Sequence, residues 1–168
     1  MEIRLPIPSL KMVLAVLAIG LLAATGFAVV EFQSERQLNR AFERLISAVE
    51  ARDWKRVEAM TAADYADQWG MNRTQSLEIG SEILRHFFVV EITISDVSLS
   101  VADGDPGEVH AVLRVSGNGT AIAQSVMAEA NQLQNPFVFQ WRKGSWKPWD
   151  WKLTSVSQSE VVFDGSMI

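Results

Sequence analysis

The chain has no cysteine, one tyrosine and two histidines in 168 residues. Without cysteine there is no disulfide staple, no thiolate zinc site and no thiol nucleophile, and nothing for the acyl chains of a bacterial lipoprotein to attach to. His86 and His110 stand alone, without H-x-H or H-E-x-x-H spacing, so the sequence offers no metal site and implies no cofactor. Basic excess is lacking as well. Fifteen Lys+Arg face twenty Asp+Glu, a net charge of −5, which argues against nucleic acid as a partner. No repeat or low-complexity stretch is present, and 48% hydrophobic residues exclude the disordered class.

What the chain does have is one long hydrophobic run. Residues 12–30, MVLAVLAIGLLAATGFAVV, are uncharged, and all but Gly20, Thr25 and Gly26 are apolar. As a helix they span roughly 28 Å, close to the hydrocarbon thickness of a bilayer. Arg4 and Lys11 precede the run, and Glu31 and Glu35 follow it. The charge bias predicts a cytoplasmic tail over 1–11, a single-pass anchor over 12–30 in a bacterial inner membrane, and an extracytoplasmic remainder. A cleaved signal peptide is the competing reading, with Ala24/Gly26 or Gly26/Ala28 at the −3 and −1 positions. The overall mean hydropathy of +0.09 owes most of its excess to this run. Beyond residue 30 the chain is an ordinary acidic domain, with 13 Lys+Arg against 19 Asp+Glu.

Within that domain Leu38, Phe42, Leu45, Ile46 and Val49 recur at helical spacing over 33–51. Asp53 is placed to cap a short helix carrying Trp54, Val57 and Met60. Thr61 and Asp64 predict a further helical turn presenting Tyr65 and Trp69, stopped by Gly70. A third helix is expected from Thr74 or Ser76 to about Phe87, with Leu77, Leu84 and Phe88 on its apolar side. At Val89 the period changes to two. Strands are expected over 89–101 and 108–116, joined by the turn Asp103-Gly104-Asp105-Pro106-Gly107 and ended by Gly117-Asn118-Gly119. Residues 120–133 fit a short helix, a strand start or a structured loop. A closing hairpin carries Phe137, Phe139 and Trp141 on one strand and Trp149, Trp151 and Leu153 on the other. Residues 158–168 read as a flexible tail.

Helices followed by a meander define an α+β class: about three helices packed on a curved antiparallel sheet of about four strands. The corner Ala51-Arg52-Asp53-Trp54, the following Tyr65, the hairpin from Phe137 to Lys147 and Trp151-Lys152-Leu153 resemble the nuclear transport factor 2-like (NTF2-like, cystatin-like) superfamily over about residues 35–157. That resemblance implies a cone-shaped cavity between helices and sheet. Its enzymes, among them ketosteroid isomerases, scytalone dehydratases and polyketide cyclases, use Asp, His or Tyr inside the cone. None of their catalytic patterns matches here position by position, so no site is carried over.

From the residues themselves, Tyr65 with Asp64 or Asp67 is the acid/base candidate, a phenol able to donate to an oxyanion. The plainer alternative packs the Tyr65 ring in the core. Trp141, Trp146, Trp149 and Trp151 lie among Arg142, Lys143, Lys147 and Lys152. Trp146 and Trp149, near turns, are the candidates for exposed binding residues. His86 reads as a helix C-terminal cap and His110 as a solvated strand residue.

The reading that follows is a membrane-anchored, extracytoplasmic binding or assembly module without catalysis, similar in layout to assembly subunits of bacterial type IV secretion machines. A protein partner or a second copy would meet the sheet. The alternative is a small-molecule enzyme or a hydrophobic-ligand carrier using the cone. An apolar cavity without convergent polar groups favours the carrier, and a cavity filled by tryptophans leaves only the interaction module.

Overall fold

The amphipathic stretch expected over 33–51 is a helix, α1, over residues 34–50. The computed structural model describes residues 34–103, 105–147 and 149–161. The expected anchor at 12–30 and residues 162–168 of the expected tail lie outside them. Among the described residues no helix is long and apolar enough to cross a membrane.

α1 buries Leu38, Ala41, Phe42, Leu45, Ile46 and Ala48, the stripe its periodicity announces. Arg52, with φ 55°, ends it in the left-handed region. Asp53 then caps α2 (Trp54–Met60) by accepting from the Arg56 N–H at 3.1 Å. α3 (Arg73–Arg85) starts earlier than expected because Asn72 provides a complete capping box: its side chain accepts from the Gln75 N–H at 3.1 Å, and Gln75 Oε1 accepts from the Asn72 N–H at 3.0 Å. His86 is its C-cap, as expected.

Four antiparallel strands follow in the order β1-β2-β3-β4: β1 (Phe87–Val101), β2 (Gly107–Gly119), β3 (Phe137–Lys143) and β4 (Trp151–Ser157). β1 begins two residues before the expected start. Phe88, expected on the apolar side of the third helix, is instead a strand residue and 71% exposed. Gly117-Asn118-Gly119 does not break β2 but completes it. Gly117 sits at φ +143° against the backbone of Val89, where a side chain would collide. Irregular register between Ser95 and Ser98, and again between Gln140 and Trp141, bends the sheet.

β3 pairs only with Gly107–Ala111 of β2, which leaves the second half of β2 without a strand neighbour on that side. The ambiguous 120–133 segment resolves as a fourth helix, α4 (Ala121–Ala130), that covers this half with Ala123 and Met127. Asn131 finishes the job. Its side chain accepts from Val115 N–H and donates to Val115 C=O, both at 2.8 Å, as a neighbouring strand would.

The main core joins α1 to the sheet, with the Phe42 and Phe139 rings 4.9 Å apart. Trp141 and Trp151 face inward and are 0% and 2% exposed. Their indole N–H groups have no acceptor, so packing holds them, helped by Lys143 Nζ at 5.6 Å from the Trp151 ring centre. Trp149, expected to face the same way, is 60% exposed because the strand begins only at Trp151.

The expected helical turn at 61–70 is absent. The segment lies along the edge of β4 instead, with backbone N–H groups of Ala62, Ala66 and Gln68 donating to the carbonyls of Leu153, Thr154 and Val156. An open sheet edge offers more backbone partners than one isolated helical turn. Residues 158–161, expected as the start of the tail, are held in place. Gln158 is 1% exposed and pairs reciprocally with Gln68, while Trp69 Nε1 donates to Val161 C=O at 2.9 Å.

Candidate functional site: an apolar cavity with a tyrosine corner

Between the bent sheet and the helices lies a cavity of about 310 Å³ that opens to solvent. Leu45 and Ile46 of α1, Leu77, Ile83 and Leu84 of α3, Ile92 and Leu113 of the long hairpin, and Leu153 and Val156 of β4 form most of its wall. Trp54 from α2 is its one tryptophan. The tryptophan-rich hairpin does not fill it. At the rim, Arg73 reaches Glu58 at 3.7 Å, a partly solvated pair.

Polar groups gather at one corner. Tyr65, carried inward by the segment along β4, is 6% exposed and lines the cavity together with Ser76 of α3. The Ser76 hydroxyl lies beside the Tyr65 phenol and donates to Asp67 Oδ2 at 3.1 Å. Asp67 Oδ1 accepts from the backbone N–H groups of Trp69 at 3.0 Å and Met71 at 2.9 Å. Asp67 is 8% exposed and stands behind Ser76, outside the cavity wall. Burial first, and the Asp67 charge second, push the Tyr65 phenol up to about 12, against the opposing effect of Ser76. The phenol is therefore neutral at physiological pH.

Asp64 is not part of this corner. It is exposed and held by Arg142 at 2.5 and 2.9 Å on the outside of the cone. That hydrogen-bonded guanidinium keeps its carboxyl below the usual range. Of the three acid/base candidates the fold thus brings Tyr65 and Asp67 to one place and removes Asp64. Ser76, which the sequence offers only as a helix start, connects the two. A serine just inside a helix is so common that nothing in the sequence marks it.

Trp146 and Trp149 lie at the far end of the β3–β4 hairpin, 88% and 60% exposed, away from the cavity. His110 is half-exposed on the outer face of the sheet, with Nε2 3.2 Å from Glu108 Oε2. Among the described residues no cluster of three or more His, Asp or Glu is arranged to hold a metal.

No protein-family model matches the sequence, and no curated protein matches it. Solved structures do. Bd1075 of Bdellovibrio bacteriovorus superposes with a TM-score of 0.57 at 10% identity, over 77% of this chain and 41% of that one, so the match spans less than half of the Bdellovibrio protein. An NTF2-like family protein of Streptomyces avermitilis, provisionally described as a dehydratase, superposes with a TM-score of 0.56 at 18% identity over 78% of this chain and 99% of its own. An NTF2-like protein of Rhodospirillum rubrum, of unknown function in nutrient uptake, gives 0.55 at 22% identity, covering 74% and 98%. At these identities the likeness is one of fold, and that fold is the NTF2-like α+β fold.

Proposed function

We propose that this chain is a membrane-anchored binding protein that holds a small, largely apolar molecule in its cone, with the Tyr65 hydroxyl meeting the ligand's one polar group. The observation that carries the reading is the cavity itself. Its volume is at the lower end of the range for small-molecule sites, and its wall is apolar apart from the Tyr65–Ser76 corner, Thr61 and Arg73 at the rim. Residues 12–30 supply the anchor in this reading, with the domain on the outer side of a bacterial inner membrane. A protein partner or second copy would meet the outer face of the sheet, which presents Glu108, His110 and Gln140.

Binding without chemistry is favoured over the enzyme alternative by the state of the carboxylates. Asp64 is engaged by Arg142 outside the cone, and both oxygens of Asp67 already accept hydrogen bonds. Neither stands free to take a proton from a molecule in the cavity.

The test uses the full chain in detergent, with 2-naphthol as the probe and saturation-transfer NMR as the readout. Gly80 lines the cavity beside Trp54, where an added β-carbon would meet the indole at 3.4 Å, an ordinary contact, so a longer side chain projects into the ligand's space. The expected result is transfer to 2-naphthol above the micelle background, abolished by Gly80→Leu. Equal transfer in both proteins would overturn the reading.

A further inference from the structure

The β3–β4 hairpin uses its four tryptophans in two opposite ways. Trp141 and Trp151 are buried, while Trp146 and Trp149 project from the connecting loop. An indole 88% exposed forfeits a large burial term, and two in four residues make an apolar surface that calls for a neighbour. The loop backbone is itself folded: Gly144 N–H donates to Asp150 C=O at 2.6 Å, and Asp150 N–H to Lys147 C=O at 3.1 Å. Arg44 of α1 donates to Trp149 C=O at 3.3 Å.

The position of this loop indicates the neighbour. Leu38, one turn into α1, presses on Gly107 beside the Trp151 ring. Lys143 N–H donates to Asp105 Oδ1 at 3.1 Å and ties this loop to the β1–β2 turn. The β1–β2 turn is therefore at the end of the cone where α1 begins, and the β3–β4 loop tied to it lies against α1 between that end and Arg44. Ser34 in α1 is four residues after Val30, the last residue of the apolar run, a distance of at most about 14 Å of extended chain. If that run is in a bilayer, the end of the cone carrying Trp146 and Trp149 is the end nearest the lipid.

We propose that Trp146 and Trp149 insert into the headgroup region of the membrane that anchors the chain, fixing the cone against the bilayer; this rests on the reading of residues 12–30 as an anchor. Tryptophan suits that layer, with an apolar ring and one N–H donor. Lys143 and Lys147 flank the indoles, but Asp103, Asp105 and Asp150 lie at the same end, and Asp150 pairs with Lys152 at 3.0 Å. The local charges nearly balance. The contact is therefore made by the indoles, not by attraction to anionic lipid.

The experiment places the full chain in phosphatidylethanolamine/phosphatidylglycerol vesicles with brominated acyl chains, which quench indoles that reach the lipid. Flotation of the vesicles reports anchoring separately. The expected result is quenching of the wild-type emission that is lost in the Trp146→Phe/Trp149→Phe double variant at equal flotation. Blue-shifted emission from the buried tryptophans confirms that the variant is folded. A floating wild type without quenching, or quenching unchanged in the variant, assigns the loop to solvent or a protein neighbour and overturns the contact while leaving the anchor intact. A chain that does not float overturns both.

Discussion

Arg142 grips Asp64 through both terminal nitrogens, at 2.5 and 2.9 Å, on the outer surface of the cone. The next residue, Tyr65, is buried on the other side of the same backbone. This pair fastens the 61–71 segment to β3 and so helps hold the tyrosine in the cavity wall. Two adjacent residues that looked like one acid/base unit therefore serve different surfaces.

The pair has a readable pH signature. The Asp64 carboxyl is lowered from 3.8 in the folded chain, chiefly by its hydrogen bond to Arg142. Its contribution to stability is present above the unfolded value and is lost as pH falls through the folded value. Replacing Arg142 by Gln is expected to return the Asp64 carboxyl toward 3.8, followed by carboxyl NMR. The stability effect is small and falls further with added salt, because both groups are exposed. A carboxyl value that does not move would show that the guanidinium is not its cause.

Tyr65 is the chain's one tyrosine, so the tyrosinate absorbance near 295 nm reports on the cavity corner alone. The folded value of about 12 lies above the ordinary 10. Stability from the neutral phenol is thus complete below about pH 10 and is lost as pH rises toward 12. Rapid pH-jump titration is expected to give an apparent value of about 12 in the folded chain and of about 10 in urea. Asp67→Asn should lower the folded value part of the way, since burial remains. A folded chain that titrates at 10 would place the phenol in water.

Gly107 is a packing requirement at the start of β2. A β-carbon there would come within 2.7 Å of Leu38 Cδ2 and 3.1 Å of Trp151 Cζ3. Gly107→Ala is expected to destabilise by about 1–3 kcal/mol, the usual range for overpacking a tight core. The urea midpoint measures it, and Leu38→Val should recover part of the loss by making room. An unchanged midpoint in Gly107→Ala would mean that Leu38 and Trp151 yield freely.

What the sequence made legible was whatever depends on local periodicity. Leu38, Phe42, Leu45 and Ile46 announce α1, the period change near Val89 announces the sheet, and Phe139, Trp141 and Leu153 announce the inner face of the closing hairpin. The structure departs from the local pattern where a distant partner outweighs local preference. The 61–71 segment carries helix-start residues, yet β4 offers it a row of carbonyls. Gly117 and Gly119 look like breakers, yet β1 continues alongside and keeps them in the ladder. α4 was ambiguous because its reason for existing, the half of β2 that β3 does not reach, is invisible until the strands are paired. In the candidate site, a lone tyrosine near aspartates was visible. Which aspartate faces which way depends on Arg142, 78 residues further on.

The clasp at the end of the chain gives the domain a different boundary from the one its last strand marks. Gln158 N–H donates to Gln68 Oε1 and Gln158 C=O accepts from Gln68 Nε2, while Gln158 Nε2 reaches Asn135 C=O at 3.1 Å and Glu160 accepts from the backbone of Gln134 and Asn135. Gln68 and Trp69 directly follow Asp67, whose carboxylate orients Ser76 beside Tyr65. Residues 158–161 thus act as a latch on the loop behind the cavity. A truncation after Ser157 keeps every described strand and yet releases the loop behind the pocket; the functional unit includes residues 158–161.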